Sequence, residues 1–114
     1  MPQEFTALNH YVVMWLYVFF DLPVKTKKQR HRAARFRRDL QKDGFGMLQY
    51  SVYARNCASG ESAAVHVNRI KAFVPPEGMV SILKVTDKQF GETINLLGTH
   101  HDPPRQAFHQ LELF

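Results

Sequence analysis

The chain has 114 residues, of which 45% are hydrophobic and 22% charged, and its net charge is +5 at neutral pH. This length and composition predict one compact domain with a small core and exclude a wholly disordered chain. The longest apolar run, residues 11–20, is shorter than the roughly 20 residues of a membrane span, and no Lys or Arg precedes it as in a signal peptide. Cys57 is the single cysteine, which excludes an intrachain disulfide and favours a cytoplasmic location. We expect no membrane partner.

The first predicted elements are a central strand and a basic helix. Residues 11–20 are rich in β-branched and aromatic side chains and are apolar at both alternating positions, which is typical of a strand covered on both faces. Thr26 and Gln29 have the spacing of a capping box, so a helix is expected over residues 27–42.

The rest of the chain alternates between strand and helix signals. Residues 44–55 show a period of two and predict a bent strand or two short strands. Apolar residues at helical spacing predict a second helix over residues 63–74, ended by two prolines. A third apolar strand is expected over residues 79–85, another strand over residues 86–97, and a weakly alternating tail over residues 107–114.

This order of elements predicts an α+β fold, a ferredoxin-like two-layer sandwich of an antiparallel sheet with two helices on one face. The first strand is apolar on both sides, but the helices cover only one of them. We therefore expect a homodimer in which sheet packs on sheet.

Positive charge is concentrated in and beside the first predicted helix. Nine of the fifteen Lys and Arg residues lie between positions 25 and 42, together with a single acid. A solvated helix face normally mixes the two signs, so this segment favours contact with a polyanion through its phosphates. The candidate nucleic-acid-binding residues are Lys25, Lys27, Lys28, Arg30, Arg32, Arg35, Arg37, Arg38 and Lys42.

Asp21 is the candidate catalytic and metal-binding residue. A carboxylate at the end of a central strand can hold a hard divalent ion whose other ligands are water and phosphate. The alternative is a turn former before Leu22 and Pro23. Because one carboxylate per chain makes a poor metal site, the site requires a two-fold axis that brings a second Asp21 close to the first.

Residues 43–50 approximate the signature of RNA-recognition modules. Asp43 stands where the signature has a cation and Met47 where it has a stacking ring, which favours a chance match at a glycine turn. A single-strand RNA-binding module is kept as an alternative function, and it predicts that RNA binding depends on Phe45.

Several motifs taken together point to a family. They are Val18-Phe-Phe-Asp-Leu-Pro23, the basic helix, Gly46-Met-Leu-Gln-Tyr-Ser-Val-Tyr53, Pro75-Pro-Glu-Gly78 and Ile82-Leu-Lys-Val-Thr-Asp-Lys-Gln-Phe90. Over residues 14–98 the chain resembles CRISPR-associated protein two, the small adaptation protein of antiviral CRISPR systems with single-protein effectors.

The resemblance implies a homodimer that lies between dimers of the CRISPR-associated protein one integrase and carries double-stranded DNA during spacer acquisition. Some members of the family also cut RNA or DNA with magnesium, using an aspartate at the position of Asp21, and the two Asp21 carboxylates would then face each other across the dimer axis. Magnesium or manganese is the implied cofactor. We expect a DNA-binding scaffold first and an endonuclease second; the alternative is a protein that is primarily a metal-dependent endoribonuclease.

The resemblance also divides the chain. Members typically begin just before the first strand, so residues 1–13 are expected to be an extension or a misassigned start, and residues 14–98 the ferredoxin-like domain. Residues 99–114 are expected to form a linker and a tail that adds a strand to a partner, with a disordered terminus as the alternative. The partner-binding residues of the tail are Leu111, Leu113 and Phe114.

Overall fold

A computed structural model describes residues 13–98, within which the chain forms four strands and three helices. The predicted extension up to residue 12 and the predicted tail, with Leu111, Leu113 and Phe114, lie outside the described residues. No helix of the described part is both long enough and apolar enough to cross a membrane. The elements are β1 (Met14–Asp21), α1 (Lys27–Lys42), β2 (Gly46–Gln49), β3 (Val52–Cys57), α2 (Gly60–Phe73), β4 (Met79–Thr86) and α3 (Asp87–Gly91).

The four strands form one antiparallel sheet in the order β2-β3-β1-β4. β1 is central, and its Val18 lies between Tyr53 of β3 and Ile82 of β4. The predicted segment 44–55 is two short strands joined by a turn at residues 50–51. This topology confirms the predicted ferredoxin-like α+β fold.

The first helix begins and ends where its sequence signals place it. The hydroxyl of Thr26 accepts a hydrogen bond from the Gln29 backbone N–H at 3.0 Å, and the Gln29 side chain accepts one from the Thr26 N–H at 3.0 Å. Within α1 only Ala33, Phe36 and Leu40 are buried. The helix therefore packs on the sheet through a narrow apolar stripe and leaves its charged residues on the surface or at its flanks.

The predicted strand over residues 86–97 is wrong. Thr86 starts a short helix instead: its hydroxyl accepts from the Gln89 N–H at 3.1 Å, and the Gln89 side chain accepts from the Thr86 N–H at 2.9 Å. This is a second capping box. It stabilises the start of a helix directly after Thr86, so β4 ends there. Residues 92–98 have no regular structure.

The short helix α3 covers part of the sheet face opposite α1 and α2, called the far face here. Leu16, Val18 and Phe20 are buried on the helix side of β1. On the far face, Trp15 stacks on Phe90 of α3 with ring centroids 3.7 Å apart. The apolar character of β1 on both sides is thus explained in part within the chain itself.

The far face stays open at the end where β1 stops. Tyr17 is 8% exposed beneath α3, but Phe19 is 39% exposed and Met79 is 69% exposed. The prediction of an uncovered second face is therefore wrong near Trp15 and right near Asp21. The sheet-on-sheet dimer stays a prediction.

Candidate active site and nucleic-acid surface

Asp21 ends β1 at the open end of the far face. Its backbone pairs with Met79 of β4, and its side chain is exposed. Asp21 lines a shallow groove of about 310 Å³, as do Ser51 and Ser81. The remaining lining residues are Phe19, Phe20, Val52 and Met79.

The Asp21 carboxylate has no hydrogen-bond or ion-pair partner within residues 13–98. Other aspartates there are bound: Asp43 by His66 and Arg69, and Asp87 by Trp15. A carboxylate without a partner at an open groove is available to a ligand.

The loop before β4 lies close to the backbone of Asp21. Gly78 has φ +89°, and a Cβ at this position would lie 2.6 Å from the Asp21 carbonyl oxygen. Its neighbour Glu77 accepts hydrogen bonds from Gln29 at 3.1 Å and from Arg32 at 2.9 Å. Position 78 therefore requires glycine, both for its φ and for its close approach to the strand end.

The donors at Asp21 fit only a water-rich metal site. No group of three or more His, Cys, Asp or Glu side chains in the described part of the chain is arranged to hold a metal ion. Magnesium keeps several water ligands and is commonly held by one or two carboxylates and a substrate phosphate. A single Asp21 carboxylate is the smallest number of protein ligands in that pattern. Two Asp21 carboxylates, one from each copy of a dimer, would hold the ion more firmly.

The outward-facing side of α1 carries cations that have no partner among the described residues. At about 100° per residue, Lys27, Arg38 and Lys42 point away from the buried stripe. Lys25 precedes the helix and is exposed, as is Lys28. These five cations are called the outer cations: Lys25, Lys27, Lys28, Arg38 and Lys42.

The other four predicted nucleic-acid residues have partners within the chain. Arg32 pairs with Glu77 at 2.9 Å, and Arg30 donates to the carbonyl oxygens of residues 24 and 25. Arg35 lies 4.0 Å from Asp39, with its side chain 79% exposed. The basic segment thus divides into a free outer group and a group that also holds the local structure.

Arg37 is the fourth of these and contacts the turn between β2 and β3. Its guanidinium carbon lies 3.8 Å from the ring centroid of Tyr50 and 5.3 Å from that of Phe20. Its Nε donates to the Tyr50 carbonyl oxygen at 3.3 Å. The side chain therefore links α1 to the end of the sheet at which Asp21 lies.

Comparison with known proteins identifies the family. A family model described as CRISPR associated protein Cas2 matches residues 14–93, which include β1, Asp21, the basic helix and α3. The chain belongs to the Cas2 family.

Curated Cas2 relatives span nearly the whole chain. A protein of Parvibaculum lavamentivorans is 52% identical over 101 residues, which are 89% of this chain and all of the relative. One of Flavobacterium psychrophilum is 44% identical over 98% of this chain and 97% of its own length, and one of Paracidovorax avenae is 39% identical over 94% and 99%. All three are named CRISPR-associated endoribonuclease Cas2.

Phe45 does not have the exposure that the single-strand RNA-module alternative requires. It is 3% exposed, belongs to the core between sheet and helices, and lies edge-on to His66. A base cannot stack on this ring unless the core opens. Within the Cas2 fold, the glycine-turn match to RNA modules is therefore a packing feature.

Sequence reasoning missed a buried polar cluster on the helix side of this Cas2 domain. His66 Nδ1 lies 2.7 Å from Asp43, and Arg55 Nε donates to His66 Nε2 at 3.0 Å. Because arginine is only a donor, Nε2 accepts and Nδ1 carries the hydrogen that is donated to Asp43. Arg69 donates to the other Asp43 oxygen at 2.8 Å. No motif spacing could have signalled this cluster, because its members come from three different elements.

Proposed function

We propose that this Cas2 protein is a metal-dependent endoribonuclease of CRISPR adaptation, with Asp21 as the metal-binding residue. The observation that carries the proposal is the exposed Asp21 carboxylate, which has no partner among residues 13–98 and borders an open groove. The names of the curated relatives support the same activity. They favour it over the DNA scaffold that the sequence analysis placed first.

The residues at the groove have complementary roles in this proposal. Asp21 would hold a magnesium or manganese ion, and the bound ion would lower the pKa of a water molecule and neutralise charge on the scissile phosphate. Ser51 and Ser81 line the same groove, and a serine hydroxyl group can donate a hydrogen bond to a phosphate oxygen. Gly78 lets the loop before β4 pass close to the backbone of Asp21 without a clash.

A homodimer belongs to this proposal because one carboxylate binds a divalent ion weakly. Asp21 lies on the far face, on the same side of β1 as Phe19, and that end of the face exposes apolar side chains. Packing this face against a second copy would bury Phe19 and Met79 and bring the two Asp21 residues toward one axis. The second carboxylate would complete the metal site.

Cleavage of RNA with and without free divalent ions tests the proposed function. The purified protein is expected to cut an end-labelled single-stranded RNA in magnesium or manganese buffer. Excess EDTA is expected to stop cleavage, and added metal to restore it, because the charge on the phosphate is no longer neutralised when the ion is removed. Cleavage that continues in EDTA contradicts the metal role, and cleavage of only the DNA of matching sequence makes the protein a deoxyribonuclease instead.

A second candidate function is the duplex-DNA scaffold between integrase subunits. The observation that favours it is the row of outer cations, which are not used to hold the fold. Lys and Arg side chains that contact only phosphates bind duplex DNA without reading its sequence. The CRISPR-associated protein one integrase is the proposed protein partner of this role.

Removing outer cations is expected to weaken duplex binding in a salt-dependent way. The variant Lys27→Gln/Arg38→Gln should lower duplex affinity and reduce the slope of log K against log salt by about 0.9 for each phosphate that a DNA-bound protomer no longer neutralises. Fluorescence anisotropy over a series of salt concentrations measures both. Lys84→Gln/Lys88→Gln is the matched control, since it removes the same charge from β4 and α3. Equal effects of the two variants contradict a role for α1.

A further inference from the structure

His31 lies on the outward-facing side of α1. Its side chain is exposed, whereas His66, the other histidine of the described part, is buried. At about 100° per residue, His31 points directly away from the buried stripe of Ala33, Phe36 and Leu40. A ligand that approaches the outer side of α1 therefore meets this imidazole.

Basic side chains follow this side of the helix with one member in each turn. Successive members are three or four residues apart, so they are neighbours on the helix surface. This outer row consists of Lys27, His31, Arg35, Arg38 and Lys42. Three of its members are outer cations, and Arg35 is 79% exposed. His31 occupies the turn between Lys27 and Arg35, where the row would otherwise be interrupted.

The charged groups that face His31 are all positive and all belong to α1. A shallow groove of about 410 Å³ at this place is lined by Lys27, Arg30, His31 and Ala34. Lys28 and Arg35 lie one turn before and one turn after the imidazole. Asp39, the single acid of α1, is eight residues further on, about 12 Å along the helix axis. These surroundings favour an anion as the ligand.

We propose that His31 binds a backbone phosphate of duplex DNA in its protonated form, so that the affinity of α1 for DNA rises as the pH falls. Histidine changes its charge between about pH 5 and 8, whereas the Lys and Arg side chains of the outer row stay charged throughout. A phosphate beside an imidazole favours the charged form, and the charged ring donates a strong hydrogen bond to a phosphate oxygen. DNA binding is thereby coupled to proton uptake at His31. The proposal rests on the duplex-DNA role of the outer cations and not on RNA cleavage.

The pH dependence of duplex affinity tests this coupling. Fluorescence anisotropy of a rhodamine-labelled duplex at constant ionic strength measures the affinity between about pH 8.5 and pH 5.5, the range in which histidine gains its charge. The affinity gain on lowering the pH should be about three- to tenfold larger per protomer in the wild type than in His31→Gln, since one pKa unit of coupling is a factor of ten. The phosphate contact of His31 is present at the acidic end of this range and is lost as the pH rises.

The salt dependence shows whether the added charge meets a phosphate. On lowering the pH, the slope of log K against log salt should steepen by about 0.9 more per protomer in the wild type than in His31→Gln, because one more phosphate is neutralised. The variant His31→Arg carries a permanent cation at the same position. At the alkaline end it should bind duplex DNA more tightly than the wild type, and its pH dependence should be that of His31→Gln.

A histidine moved to another helix is the matched control. The double variant His31→Gln/Asn68→His places the imidazole at an exposed position of α2 and should respond to pH like His31→Gln. The proposal is overturned if the wild type and His31→Gln bind DNA with the same pH and salt dependence, or if the double variant regains the wild-type response. A wild type that binds no duplex at any pH contradicts the duplex-DNA role itself, whereas binding with an unchanged pH response in His31→Gln contradicts the role of His31 alone.

Discussion

Asp21→Asn is expected to lower kcat for RNA cleavage in magnesium buffer by about a hundred- to thousand-fold. The substitution keeps the shape of the side chain but removes the negative charge that holds the cation. The stabilisation that a bound cation gives to a phosphoryl transition state is several kcal/mol, and each 1.36 kcal/mol is tenfold in rate. Single-turnover cleavage of end-labelled RNA measures the loss.

The fold and RNA binding should survive this substitution. Asp21 is exposed and has no partner within residues 13–98, so the free energy of unfolding is expected to change by less than about 0.5 kcal/mol. Without metal, RNA affinity should stay the same or rise slightly, because a negative charge beside the phosphate is removed. Glu92→Gln makes the same chemical change at the C-terminal end of α3, next to the covered half of the far face, and should keep full activity. A loss of activity below about threefold for Asp21→Asn, or an equal loss for Glu92→Gln, contradicts the assignment of the site.

Much of the fold could be predicted because its signals are local. Thr26 and Gln29 lie three residues apart, and the buried residues of α1 recur at helical spacing within one helix. The capping box and the buried stripe can therefore both be predicted from sequence. The same capping signal is present at Thr86 and Gln89, but the sequence analysis predicts a separate strand over residues 86–97. The prediction failed there because the capping box and the strand pattern predict different structures for the same residues.

The candidate site was predictable only in part. Asp21 stood out because a run of β-branched and aromatic residues stops at it. The partner of Arg32, by contrast, is Glu77, which lies 45 residues away in sequence. Which cations are free and which are engaged therefore depends on how the loop before β4 meets α1. The contact of Arg37 with Tyr50 could not be predicted for the same reason, because the two residues lie in different elements and are 13 positions apart in sequence.

Asp43→Ala is expected to destabilise the domain by about 2–4 kcal/mol, a large share of the roughly 5–15 kcal/mol of a typical domain. The Asp43 side chain is 8% exposed and binds both His66 and Arg69. Its removal leaves the buried Nδ1–H of His66 without an acceptor. The ion pair with Arg69 adds less, because that side chain is 58% exposed and water screens it. Urea denaturation followed by circular dichroism measures the change.

Asp39 offers a matched control one turn earlier on the same helix. Its carboxylate lies 4.0 Å from an Arg35 side chain that is 79% exposed, so Asp39→Ala should change stability by less than about 1 kcal/mol. Asp43→Asn should fall between the two, since the amide oxygen keeps one acceptor but the charge is lost. Similar losses for Asp43→Ala and Asp39→Ala contradict the structural role of the cluster.

The cluster should also act independently of the active site. α1 begins near the Asp21 end of the sheet and has 16 residues, so Asp43 after its last turn is separated from that end by about 24 Å of helix. RNA cleavage by Asp43→Ala, measured at a temperature at which the variant is still folded, is therefore expected to match that of the wild type. If activity falls in the folded variant, the polar cluster also controls the position of Asp21, and the helix that joins them must transmit the change.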